Sequence, residues 1–200
     1  VDALYAPRRY LFDQLLVDAA AAAGAEVLHE TSVTALLRDA GERVVGVQIS
    51  RRGGQSTDLP ATLTVGADGV RSTVAQQVDA GLSRQGNSAG GVLYRYFHDL
   101  PAEGYEWFYG DHAATGLIPT NDATCVFVGT TPARIRSLRR DGAERAFTAL
   151  LASAGPALVD RVAEATPADR MHGWSGAVGY LRGCWGPGWA LVGDAGYVKD

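Results

Sequence analysis

Two cysteines, Cys125 and Cys184, are all that 200 residues contain, and they lie far apart without the spacing of a metal site. A disulfide framework is therefore not the basis of this fold, and a reduced, cytoplasmic protein is expected. Lysine is scarcer still: Lys199 is the only one among 18 basic residues. Together with the abundance of alanine, this bias reads as a GC-rich coding sequence and carries no functional message. No run of about 18 apolar residues is present, which excludes a helical membrane span, and no signal-peptide pattern is visible. Positive charge is not in excess either. A net charge of −4 gives no reason to expect nucleic acid or an anionic membrane as partner. What is present is ordinary for a globular protein, 46% hydrophobic and 20% charged residues, enough for one substantial core or two small lobes. The chain opens at Val1 directly into YAPRRYLFDQLL and ends just after VGDAG, so it reads as an internal piece of something longer.

The periodicity predicts a helix over 9–23, where Leu11, Leu15, Leu16 and Ala19 share one face and Gly24 supplies the stop. AEVL reads as a short strand. TSVTALLRD and RVVGVQISR read as strands around the turn AGE, and LPATLTVGADG as a third strand beyond a turn at Gly53-Gly54. Together these predict an antiparallel meander, followed by a short helix over VRSTVAQQV. From Gly86 onwards the texture becomes aromatic and β-branched. GGVLYRYFHDL, GYEWFYGD, ATGLIPT and ATCVFVGTT predict an antiparallel sheet of about four strands. Two helical stretches follow, RIRSLRRDGAERAFTALLASAG, with Asp141 as candidate cap, and PALVDRVAEA. The chain then returns to an α/β-type strand, WALVGD. The fold class expected is α/β with an α+β admixture. Residues 1–86 and 176–200 form a partial Rossmann-like domain with a meander, and 87–175 form an inserted antiparallel-sheet substrate lobe.

Two bends stand out. An apolar strand runs into Gly66-Ala67-Asp68-Gly69, and another into Gly193-Asp194-Ala195-Gly196. Glycine permits positive φ and close main-chain approach, and each aspartate offers a carboxylate to a hydroxyl or an arginine. Read singly, either is a common strand–turn. Other patterns carry less. Gly86-Asn87-Ser88-Ala89-Gly90 fits the spacing of a hydrolase nucleophile elbow, but the strand-before, helix-after context is missing. His29, His98, His112 and His172 have no ligand spacing, so no metal site is expected. Arg134, Arg136, Arg139 and Arg140 read as a solvated helix face. Tyr94, Tyr96, Phe97, Trp107 and Phe108 are candidates for a substrate pocket, although strand alternation requires about half of them in the core.

The two bends, about 120 residues apart, resemble the paired motifs of FAD-dependent monooxygenases of the para-hydroxybenzoate hydroxylase fold. Arg9, Phe12, Asp13 and Leu16 match the Arg-x-x-(Phe/Leu)-Asp-x-x-Leu segment of that superfamily. IPTNDATCVFVG and GPGWALVGDAGYVKD resemble segments of a bacterial subgroup of FAD-dependent oxidoreductases. The resemblance runs the length of the chain. It implies FAD as cofactor and NAD(P)H as reductant, with O2 supplying an oxygen atom to a small organic substrate. Asp194 is then implied at the ribityl chain with Gly193 allowing the approach, Asp68 and Gly69 near the pyrophosphate, Arg9 at the phosphates or ribityl region, and Val33 at the adenine. Pro119 to Asp122 are placed at the sheet edge facing the flavin ring without a catalytic role, and no acid, base or nucleophile is assigned.

The chain departs from the family in one respect. It lacks the Gly-x-Gly-x-x-Gly turn and the later acidic residue that hold the ADP moiety. As it stands it is expected to bind FAD weakly or not at all and to be inactive. Geranylgeranyl reductases and flavin-dependent halogenases share the same motifs and give a second reading, although the halogenase Trp-x-Trp-x-Ile is not found here. A non-catalytic module that has lost its phosphate loop is a third.

Overall fold

The computed structural model describes residues 3–52 and 54–199. Gly53, half of the expected Gly53-Gly54 turn, lies outside them, as do Val1, Asp2 and Asp200. The described chain divides into two compact units. The first comprises the described residues up to Ala25 with Ala89–Gly176, the second Glu26–Ser88 with the described residues from Ala177. Helix α1 (Arg9–Ala22), built from the expected alanine- and leucine-rich stretch, clusters with the first unit and has no buried residue.

In the second unit, β1 (Thr31–Arg38), β2 (Val44–Arg51) and β3 (Ser56–Pro60) form the expected antiparallel meander in that order. AEVL is not a strand: it finds no ladder partner among the described residues. LPATLTVGADG is not one strand but two. Its first part closes β3 at Pro60, which has no N–H for a ladder, and the chain leaves the sheet. Its second part is β4 (Thr64–Gly66), in a different sheet. The predicted helix α2 (Thr73–Gln77) follows, capped by Ser72, whose hydroxyl accepts the Ala75 amide at 2.9 Å. Strand β5 (Leu82–Gln85) completes this part.

The first unit holds the aromatic strands β6 (Gly91–His98), β7 (Glu106–Tyr109), β8 (Ala114–Pro119) and β9 (Thr124–Thr130). Helices α3 (Pro132–Leu138), α4 (Ala143–Ala154) and α5 (Val159–Glu164) come next, then β10 (Thr166–Pro167) and β11 (His172–Trp174), both pairing with β6. The sheet therefore has six antiparallel strands where about four were expected; residues 166–174 are too short and polar to announce a strand. Alternation sorts the side chains. Leu93, Phe97, Leu117, Val126 and Val128 pack with Ile135, Phe147, Leu150 and Leu158 into the main core. Asp141 does not cap α4. It ends a short 3-10 turn, and the cap position is Gly142, with no side-chain bond.

The chain returns to the second unit with β12 (Tyr180–Arg182), β13 (Trp185–Gly186), β14 (Trp189–Leu191) and β15 (Tyr197–Val198). β12 lies between β5 and β15, antiparallel to both. β14 pairs antiparallel with β13 and parallel with β4. Val74, Ala75, Leu191 and Ala195 form a small core of this unit.

Candidate functional site

The parallel pair brings the two bends together. Thr64 stands opposite Trp189 and Gly66 opposite Leu191, so β4 and β14 stop at the same level. The carbonyl of Gly66 accepts the amide of Val192 at 2.9 Å, the last bond before the chains diverge. Asp68 and Asp194 therefore both lie just beyond the carboxyl ends of neighbouring parallel strands. Each bend contains a glycine in the left-handed region, Gly69 at φ 76° and Gly193 at φ 57°. A methyl group built on either would meet nothing within 4 Å, so the space beside both bends is open.

The two carboxylates are used differently. Asp68 Oδ2 accepts the amides of Thr73 at 2.7 Å and Val74 at 3.2 Å and so ties off the start of α2. Burial pushes its pKa up, but bonds from the Ser72 hydroxyl and the main-chain amides outweigh burial and hold it below the ordinary value. The Asp194 side chain is exposed and makes no hydrogen bond or ion pair among the described residues. Its main chain is anchored instead: the Tyr180 hydroxyl donates to the Asp194 carbonyl. Tyr180 was not singled out from the sequence, and no motif marks it.

Val33 and Asp68 line one cavity of about 550 Å³. Val47, Leu63, Val65 and Val74 give it apolar walls, with Asp68 and Thr73 as its polar edge. Asp194, Gly193 and Gly69 are not among its lining residues.

Arg9 belongs to the first unit. There it is fully exposed and forms a two-point ion pair with Asp13 at 2.8 and 3.0 Å, which raises its pKa. Its neighbour Arg8 is the more engaged residue. The Arg8 guanidinium lies 3.5 Å from the Tyr96 ring centroid and 3.3 Å from Asp122 Oδ1, while its amide donates to Asn121 Oδ1 at 2.9 Å. The Thr120–Asp122 turn, expected as a sheet edge, thus anchors the segment entering α1.

The aromatic candidates divide by strand alternation. Phe97 is in the main core and Phe108 packs against it. Tyr94, Tyr96 and Trp107 fall on the opposite face, together with Cys125 and with Phe127, which sequence reasoning passed over. The Trp107 and Phe127 rings meet edge to face at 5.0 Å. His172 stacks on Tyr94 at 5.0 Å and bonds Asp169 Oδ2 at 2.9 Å. Ser88, in the elbow-like pentapeptide, lies in a loop that leads into β6, so no nucleophile elbow is formed. No group of three His, Cys, Asp or Glu residues among those described is arranged to hold a metal ion.

Parallel strands whose carboxyl ends open on glycine bends are the nucleotide-site architecture of α/β proteins. A family model described as "FAD binding domain" matches residues 6–195, and the chain belongs to that family. Solved structures agree in fold. The myxobacterial chondrochloren halogenase CndH is 26% identical with a TM-score of 0.84, covering 98% of this chain and 47% of its own. The flavin-dependent brominase Bmp2 is 19% identical with a TM-score of 0.84, covering 96% and 49%. PqsL, "a probable FAD-dependent monooxygenase from Pseudomonas aeruginosa", is 23% identical with a TM-score of 0.67, covering 94% and 52%. The chain thus spans about half the length of these proteins. It is a mixed α/β chain carrying part of an FAD-binding fold, and no helix among the described residues is long and apolar enough to cross a membrane.

Proposed function

We propose that the chain serves an FAD-dependent oxidoreductase, a monooxygenase that takes electrons from NAD(P)H and inserts oxygen from O2 into a small organic substrate. The observation that carries this reading is the pairing of β4 with β14, which places Asp68 and Asp194 beyond adjacent strand ends while leaving the Asp194 carboxylate without a partner among the described residues. An exposed, unpaired carboxylate beside open space suits the hydroxyls of a ribityl chain. The apolar cavity at Val33 suits a flat adenine, and Asp68 shapes the bend near the pyrophosphate through the start of α2. The residues present fit the adenine and ribityl parts of the dinucleotide, while the Gly-x-Gly-x-x-Gly turn that would hold the ADP phosphates is not in this sequence. When bound, FAD supplies electron transfer and the activation of oxygen. The chain's own residues bind and orient it. In the first unit, the face carrying Tyr94, Tyr96, Trp107 and Phe127 offers stacking surface to a small substrate.

Halogenation on the same scaffold is the second reading, favoured by the 26% identity to chondrochloren halogenase. Titration of FAD into the purified chain joined to a Gly-x-Gly-x-x-Gly unit of the kind it lacks, followed by flavin fluorescence, tests the cofactor assignment. Saturable quenching is expected, weakened about tenfold in Asp194→Ala by loss of charge-assisted hydrogen bonds. Absence of saturable quenching by the wild type overturns the FAD reading. Turnover with NAD(P)H and O2, with and without halide, then separates a product that has gained oxygen from one that has gained halogen.

A further inference from the structure

Tyr180 sits at the centre of a three-stranded sheet, yet its hydroxyl serves the two bends. It donates to the carbonyl of Asp194 and lies 3.4 Å from the carbonyl of Val70, the residue directly after Gly69. A phenol has one proton to donate. The Asp194 bond is therefore the principal one, and Val70 is a weaker second acceptor for the same hydrogen. The ring is held from its other side: the Arg182 guanidinium carbon lies 4.6 Å from its centroid. β12 is itself paired on both edges, Tyr180 opposite Gln85 on one side and Val198 on the other, so the hydroxyl is projected from a backbone that cannot easily shift. The bends it reaches both turn on positive-φ glycines with empty space beside them, and the Asp194 side chain has no tether among the described residues.

We propose that Tyr180 is a positioning residue for the cofactor site. By bridging the main chain at Val70 and Asp194, it sets the spacing between the two glycine bends and the direction in which the Asp194 carboxylate is presented to a polyol. The role rests on the reading of Asp194 as an FAD ligand. It predicts that removing one oxygen atom, 14 residues away from Asp194 in the chain, loosens both bends together.

Tyr180→Phe is the test, because it keeps the ring, its packing and its stacking with Arg182. Two readouts are needed, the first on the 200-residue chain and the second on the chain joined to a Gly-x-Gly-x-x-Gly unit. The first requires no cofactor. Amide exchange at Gly196, bonded to the Gly193 carbonyl at 2.9 Å, and at Ser72, bonded to the Gly69 carbonyl at 3.0 Å, accelerates at least severalfold in the variant while the melting temperature moves little. Unchanged exchange at both amides overturns the proposal. The second is FAD affinity by flavin fluorescence. Tyr180→Phe weakens it about fivefold, and the double variant with Asp194→Ala is no weaker than Asp194→Ala alone, because Tyr180 acts through Asp194. If the wild type binds FAD and Asp194→Ala weakens it while Tyr180→Phe does not, the positioning role is wrong and the cofactor reading stands. If the wild type shows no saturable binding, the cofactor reading fails and the positioning role falls with it.

Discussion

The amide of Val192 donates to the carbonyl of Gly66 at 2.9 Å, and beyond this bond the two chains separate into their glycine bends. The proposed cofactor site is built around it. Two strands of three residues each, more than a hundred positions apart in sequence, end side by side and point in the same direction.

Asp68 stabilises the fold as well as shaping the site. Asp68→Ala removes the acceptor for the Thr73 and Val74 amides and costs about 1 kcal/mol near neutral pH, as loss of a capping carboxylate does. The folded-state pKa lies below the unfolded value, so this stability is present above the ordinary Asp pKa of about 4. It is lost as pH falls through the depressed folded value. Urea unfolding of wild type and variant, compared at neutral and acidic pH, should show the difference shrinking on acidification.

Thr64 is 8% exposed, and its hydroxyl has no hydrogen-bond partner among the described residues. Thr64→Val replaces that hydroxyl with a methyl group of similar shape and relieves a desolvated polar atom. Stability should rise by about 1 kcal/mol, read as a higher urea midpoint at constant slope. A lower midpoint would mean that the hydroxyl is satisfied in solution.

Cys125 faces Tyr96 across the β6–β9 ladder, and burial pushes its thiol up to about 11. The thiolate is the reactive form, so at about pH 8 only about one molecule in a thousand is ready to react. Iodoacetamide labelling followed by peptide mass spectrometry should leave Cys125 unmodified in the native protein and modify it after unfolding. Equal rates in both states would contradict the burial.

Arg8 holds the start of α1 to the first unit. Arg8→Ala keeps the main-chain bond to Asn121 but loses the stack on Tyr96 and the pair with Asp122, at a cost of about 1 kcal/mol. Proteolytic cleavage ahead of α1 should accelerate. Arg8→Lys should recover only part of the loss, because an ammonium lacks the planar face that stacks.

Local features were legible from residues alone. The helix at Arg9–Ala22 follows from alanine and leucine spacing, and a short helix was expected after the Gly69 bend, although its Ser72 cap was not. The alternation in β6 and β7 told that about half the aromatics had to be core, although not which half. The failures were also local in origin. AEVL has strand composition but no neighbour to bond, and TVG looked continuous with a meander that Pro60 ends. Arg8, one position before the Arg9 motif, makes long-range contacts that no sequence pattern marks.

The residues by themselves determined where the chain could bend, which segments could be strands, and that two acid-bearing glycine turns existed, because these depend on side-chain volume and main-chain freedom within a few positions. Only the tertiary structure decided that β4 and β14 lie parallel and adjacent, that the Asp68 carboxylate is consumed by α2, and that the Asp194 carboxylate has no partner among the described residues while Tyr180 holds its main chain. Pairing between segments a hundred residues apart is selected by the packing of Val74, Ala75, Leu191 and Ala195 around them, and no local pattern encodes which acceptor a distant donor will reach.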